Sequence, residues 1–263
     1  MTSEILPHAA NNNRIQVIDR AAALLDAIAR YPDPVSLKIL SAETGLHAST
    51  AHRILGSLIE NRFVEKNAGG RYRLGLRLLQ LGVRLHSNID LRSVALPVME
   101  QLRDRLGESV NLTIREGDEV VYIEKATPNR MMHVQQLVGS RAPLHVTAVG
   151  KLMLGAAGPD AIRGYTQRTN LPAYTRNTIT TLPRLMEECR QAVEQGYALD
   201  DEEAEIDVGC IGVLLYDGTG NVAAGLSVSA PIERRRKAWV EDMLEAGRSI
   251  SVKLGYDPAG HAA

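Results

Sequence analysis

Ser49, Thr50, His52 and Arg53 open a segment in which Ala51, Ile54, Leu55 and Leu58 recur at i, i+3, i+4 and i+7. On a helix this spacing buries the four apolar residues on one face and leaves the polar ones facing away from the core. Two hydroxyls, an imidazole and a guanidinium at the exposed start of a helix suit phosphate anchoring and contact with base edges. Further on, Arg71 and Arg73 flank Tyr72 just after Gly69-Gly70. On an extended return strand the two arginines share a face, where they can rest on phosphates.

The second half of the chain holds a different set. Ser227 and Ser229 are two apart in an apolar run and share a strand face, and Cys210 lies in the run before it. Paired hydroxyls facing a cavity are donors for a small carboxylate. Thr147-Ala148-Val149-Gly150 opens a helix whose free N–H groups favour an anion. Gly150-Lys151 lacks the upstream glycines and the following Ser/Thr of a phosphate loop. Asp200-Asp201-Glu202-Glu203 with Glu205 has no His or Cys beside it to complete a metal site, so most of these carboxylates are predicted to form a solvated acidic loop.

GxSxG and HExxH patterns are absent, and His133 and His145 are the only histidines of this half before His261. No nucleophile–base–orienter set can be assembled, and neither a cofactor nor a metal is expected. The alternative is an enzyme that acts on a small carboxylic acid through Asp200, Cys210 or His145, with the first half as an accessory module. A third reading is a constitutive DNA binder with little sequence preference.

The elements that position the first set form a winged helix-turn-helix over residues 36–74. A helix at 17–31, with Ile18, Ala22, Leu25 and Ile28 inward, ends at Pro32 and Pro34. Ser36 caps the next, in which Leu37, Leu40 and Ala42 pack inward until Gly45 breaks the chain. The following helix starts near residues 47–49, and two short strands turn at Gly69-Gly70. Such a fold places its second helix in the major groove. The leucine stripe of residues 76–86 (Leu78, Leu79, Leu81 and Leu85) predicts a linker helix that packs on a partner copy. A two-fold pair of heads would supply specificity that one head lacks.

The second half predicts a helix at 91–106, a hairpin of strands 109–115 and 119–125, a third strand at 131–137 and a loop at 139–144. A helix follows at 147–156, and a further one at 182–195 is capped by Thr181 and stopped by Gly196. Strands at 207–216 and 222–229 and a final helix at 232–254 complete an α+β pattern, an antiparallel sheet with helical layers. The domains read as a disordered lead at 1–13, the winged helix-turn-helix at 14–75, the linker at 76–90, an effector-type domain at 91–257 and a disordered tail at 258–263.

Charge follows the same division. The chain of 263 residues carries a net −1. Residues 47–84 hold seven Lys/Arg against two Glu, a local +5 that leaves the remainder at −6. A basic module on an acidic body confines phosphate contact to one region. The two cysteines, Cys189 and Cys210, make no disulfide framework. The first residues lack the basic-then-apolar order of a signal peptide, and no run of about 18 apolar residues could span a membrane. A cytoplasmic protein is expected.

These segments together resemble the IclR family of bacterial transcriptional regulators, from about Gln16 to Tyr256. The likeness is carried by LHASTAHRILGSLIENRFV in the winged helix and by GDEVVYIEKA, VGSRAPLHVTAVGKLMLGA, GYALDDEE and CIGVLLYDGTGNVAAGLSVSAP in the second half, in the family's order and spacing. The resemblance implies a DNA-binding domain joined by a helix to a GAF-like effector domain, in dimers or tetramers on palindromic double-stranded DNA operators. It further implies a small organic or aromatic acid in a pocket that includes backbone at Ala148 and Val149 together with Asp200, Cys210, Ser227 and Ser229. Two positions depart from the family's pattern: LMLGA after Lys151 replaces LLA, and Ser229-Ala230-Pro231 replaces Ser-Gly-Pro, which would tighten the pocket rim.

Overall fold

The computed structural model describes residues 15–86 and 90–258, with the backbone alone for 82–86. The chain divides into two compact units, with the boundary at 88/89. The lead at 1–13, the tail beyond Pro258 and the side chain of Leu85 lie outside the described residues.

The first unit consists of α1 (Gln16–Ala29), α2 (Leu37–Thr44), α3 (Ala48–Glu60), β1 (Val64–Lys66), β2 (Tyr72–Leu74) and α4 (Leu76–His86). Its core gathers Leu24, Ala27, Ile28, Leu40, Ala51, Ile54, Leu55, Leu58, Val64 and Tyr72. The α3 positions are those that the spacing predicts. On α1 the buried set is Leu24, Ala27 and Ile28, whereas Ile18 and Ala22 are exposed, so the inner stripe is displaced from the predicted one. Ala42 is exposed too, because the eight-residue α2 turns only Leu40 fully inward. Gly45 ends α2 at φ 65°, a left-handed cap that glycine adopts without steric cost. Val35 and Tyr72 exchange two backbone hydrogen bonds of 2.8 Å, which clamp the wing to the segment before α2. At Gly75 any Cβ would come 2.3 Å from the Arg62 carbonyl, so the entry to α4 requires glycine.

The second unit is an α+β fold around a six-stranded antiparallel sheet, ordered β5-β4-β3-β8-β7-β6. Its strands are β3 (Ser109–Glu116), β4 (Glu119–Ala126), β5 (Arg141–Pro143), β6 (Ala198–Asp201), β7 (Val208–Tyr216) and β8 (Val222–Pro231). One face carries Val110, Leu112, Ile211, Val213, Leu226 and Val228 against α5 (Leu91–Leu106) and α9 (Trp239–Lys253). The other face meets α6 (Ala148–Ala156), α7 (Pro159–Thr169) and α8 (Leu182–Gln195). No helix among the described residues is long and apolar enough to cross a membrane.

Several predicted elements need correction. Residues 131–137 form no strand, and Met131 and Met132 project into solvent; the third strand is instead Arg141–Pro143, inside the predicted loop. The strand propensity of that run had no neighbouring strand to satisfy it. The helix α7 and the strand β6 were not anticipated, because GYTQRT and ALDD lack a clear apolar period. The last helix starts at Trp239 rather than 232, since turns occupy the arginine-rich stretch after Pro231. Thr181 occupies the cap position of α8 without a side-chain hydrogen bond.

Candidate functional sites in the two units

In the first unit Ser49, His52 and Arg53 stand exposed on the first turns of α3, with Thr50 half-buried beside them. His47 caps the helix: its Nδ1 accepts the Ser49 amide at 3.4 Å and lies 2.8 Å from the Ser49 hydroxyl. The two wing arginines differ. Arg71 sits at the turn, where its amide donates to the Asn67 side chain at 3.0 Å, and it has no ion-pair partner among the described residues. Arg73 lies opposite Glu65 in the β1–β2 register, and its guanidinium holds that carboxylate through Nη2 at 2.7 Å and Nε at 2.9 Å. Tyr72 between them is buried, and Lys66 lies over its ring at 5.4 Å. Arg77 stacks on Phe63 at 4.7 Å and donates to the Asn61 carbonyl.

The second unit assembles its polar residues on the sheet face that meets α6. Antiparallel neighbours share a face. The register therefore lays out two rows across the strands. One runs Asp200–Cys210–Ser229–Ser109, and the other Gly212–Ser227–Asn111–Lys125. Within the first row the Cys210 sulfur and the Ser229 hydroxyl are 3.2 Å apart, and from the second row Asn111 Nδ2 donates to Ser229 Oγ at 3.1 Å. Strand alternation turns Ala230 to the opposite face, so the methyl that replaces the family's glycine does not narrow this site.

Two glycines bring α6 down onto these rows. A Cβ on Gly212 would meet Val149 N at 2.9 Å and Val149 Cγ1 at 2.8 Å, and one on Gly225 would meet Val149 Cβ at 2.7 Å. The start of α6 at Ala148 and Val149 thus rests directly beside the polar residues. Thr147 caps it by accepting the Gly150 amide at 3.2 Å. First-turn amides in this position are suited to an anion.

Asp200 is only 2% exposed, and its Oδ1 accepts the Glu203 amide at 2.8 Å. Burial pushes its pKa up to about 7, partly offset by that amide. Burial and the neighbouring Asp200 also push the Cys210 thiol up, and burial does the same to the Tyr122 phenol. The acidic run is therefore not a uniform solvated loop. Asp201 and Glu205 are exposed, but Glu203 is 5% exposed and its Oε1 is 2.5 Å from Nζ of Lys151, itself 2% exposed on α6. This pair ties the Asp200 turn to the helix that faces the same rows. The sequence offered Gly150-Lys151 only as a failed phosphate loop; the cation's true partner lies 52 residues away.

Asn111, Tyr122 and Lys125 were missed, because a strand of alternating residues does not announce which face is polar when the opposite face is buried too. His145 does not stand free as a base. Its Nε2 donates to the Pro172 carbonyl at 3.1 Å, its Nδ1 accepts from the Tyr165 hydroxyl at 2.6 Å, and burial lowers its pKa. No cluster of three or more metal-ligating side chains occurs among the described residues.

Comparison with known proteins matches residues 17–68 to the IclR helix-turn-helix domain and residues 83–253 to the bacterial transcriptional regulator IclR C-terminal domain. The DNA-binding transcriptional repressor YiaJ of Escherichia coli is 32% identical over 249 residues, 92% of this chain and 88% of that protein. The repressor BlcR of Agobacterium tumefaciens superposes with a TM-score of 0.77 at 27% identity, over 94% of this chain and 100% of that one. An IclR homologue from Microbacterium hydrocarbonoxydans, solved in complex with 4-hydroxybenzoate, has a TM-score of 0.59 at 27% identity over 90% and 98% of the two chains.

Proposed function

This chain belongs to the IclR family of bacterial transcriptional regulators, with a helix-turn-helix for DNA and a C-terminal domain for an effector, and on that premise we propose that it binds a palindromic operator in the cytoplasm under the control of a small organic acid. On this reading Ser49, Thr50 and His52 meet base edges, and Arg53, Arg71 and Arg73 meet phosphates. The exposed leucines of α4, with Leu76 and Leu79 each 62% exposed, support a dimer that doubles the head over two half-sites.

The observation that carries the acid-sensing reading is the buried row Asp200–Cys210–Ser229 set against the first amides of α6. The α6 amides at Ala148 and Val149, with the hydroxyls of Ser227 and Ser229, receive a carboxylate, and Asp200 and Cys210 close the far side. The 4-hydroxybenzoate bound by the Microbacterium homologue supports an acid, aromatic ones included. His145 is committed through both ring nitrogens, which supports binding without turnover.

For control, the acid must bind the DNA-competent and DNA-incompetent states unequally. Fluorescence anisotropy on the DNA upstream of the protein's own gene, with and without a panel of small acids, tests this. Sequence-specific binding that shifts with one acid is the expected result. Binding indifferent to sequence and to every acid, or turnover of a bound acid, overturns it.

A further inference from the structure

Asn111 carries an unmet hydrogen-bonding atom on the polar sheet face. It is 0% exposed, and its Oδ1 has no partner, whereas its Nδ2 donates to Ser229 Oγ at 3.1 Å. At the far end of the neighbouring row Asp200 accepts the Glu203 amide and lies opposite Cys210 in the register. The Cys210 sulfur and the Ser229 hydroxyl are 3.2 Å apart, so Ser229 sits between Cys210 and Asn111. Ser229 Oγ accepts the hydrogen bond from Asn111 Nδ2 and keeps its own proton as a donor. The other end of the amide, Asn111 Oδ1, is left without a donor.

The remaining groups around Asn111 do not supply the missing donor. Neither of its cross-strand neighbours, Ser227 and Lys125, reaches Oδ1; Lys125 Nζ donates to the Gln136 carbonyl at 3.1 Å, Thr113 to the Gly225 carbonyl at 3.3 Å and Ser109 to the Val134 carbonyl at 2.5 Å. A buried carbonyl left without a donor is costly, so a ligand that brings one gains affinity there.

We infer that Asn111 is a specificity-determining residue that selects a hydroxylated acid, whose hydroxyl donates to Asn111 Oδ1 while its carboxylate occupies the α6 amides. The inference rests on the acid-sensing reading above and adds the chemistry of the second functional group. An acid without a hydroxyl leaves Asn111 Oδ1 unpaired, as it is in the free protein, and loses about tenfold in affinity.

The test is calorimetric titration of the full chain with matched acids: 4-hydroxybenzoate against benzoate, 3-hydroxybutyrate against butyrate, and lactate against propionate. Asn111→Leu keeps the bulk and removes both hydrogen-bonding atoms, and Asn111→Ala guards against a packing artefact. The expected result is a hydroxylated member favoured about tenfold by the unmodified protein, with the ratio falling to about one in the variants. No preference in the unmodified protein, or a preference that survives both substitutions, overturns the assignment of Asn111 and leaves the acid site standing. Failure of every acid to bind the unmodified protein overturns the acid site as well. Should one variant not fold, the ratio in the other decides the assignment.

Discussion

The two candidate sites use similar side chains in opposite surroundings. On α3, Ser49, His52 and Arg53 come from five consecutive residues, stand in water and owe their placement to one helix. On the sheet, Asp200, Cys210, Ser229 and Asn111 come from four strands, lie mostly out of water and owe their placement to register. An exposed guanidinium keeps its charge and acts at a distance that salt shortens. A buried carboxyl must be solvated by the protein itself, so each of its neighbours becomes part of its chemistry. The head is therefore modular and tolerant, and the sheet site is cooperative and fragile.

Substitutions should expose that asymmetry, most sharply at Lys151. Lys151→Met leaves Glu203 as an uncompensated buried carboxylate and should cost about 3–5 kcal/mol in thermal or denaturant unfolding. Adding Glu203→Met should restore most of it, because a well-packed apolar pair of similar volume is often no less stable than a buried ion pair. A double variant as unstable as the single one would show that the pair does more than satisfy itself.

Gly212→Ala comes next. Its methyl would press on Val149 at 2.8–2.9 Å, with an expected loss of about 1–3 kcal/mol and displacement of the α6 start from the polar rows. Unchanged stability and unchanged acid binding would contradict the close approach assigned to that glycine.

The head should respond through salt rather than stability. Arg71→Ala should weaken DNA binding across sequences and reduce the slope of log K against log salt by about 0.9, the value for one phosphate contact. Arg73→Ala should have a smaller effect, since its guanidinium is already held by Glu65. Equal losses would show that the Glu65 pair opens on DNA.

The gentlest probe is pH. The folded pKa of Asp200 is raised to about 7 from the usual carboxylate value near 3.8. The unfolded chain gives up that proton first, so the contribution of Asp200 to stability is full below about pH 4 and is lost as pH rises through about 7. Unfolding free energies measured from pH 4 to 8 should fall more in the parent than in Asp200→Asn. Parallel curves would place Asp200 in a wetter setting than its burial indicates.

The contrast between the sites also explains how much was legible beforehand. The α3 core of Ala51, Ile54, Leu55 and Leu58 and the left-handed cap at Gly45 follow from local spacing and backbone sterics, and both stand as predicted. The hairpin of β3 and β4 was equally local. The sheet site was legible only in pieces: the serine pair by alternation, and Asp200 by family likeness. Its joining through β6, its descent under α6 at Gly212 and Gly225, and the burial of Glu203 by Lys151 depend on residues far apart in the chain. The extended run at 131–137 failed for the converse reason, because strand propensity without a partner edge makes no strand.

The central claim is that an acid on the sheet face controls the grip of the head on DNA. Anisotropy titrations of operator DNA, with and without the acid that stabilises the protein most, measure it directly in the parent and in Ser229→Ala. The account predicts that the acid shifts the parent's DNA affinity by about fivefold or more, and that the two Ser229→Ala titrations superimpose. An equal shift in both proteins, or none in the parent, would contradict it.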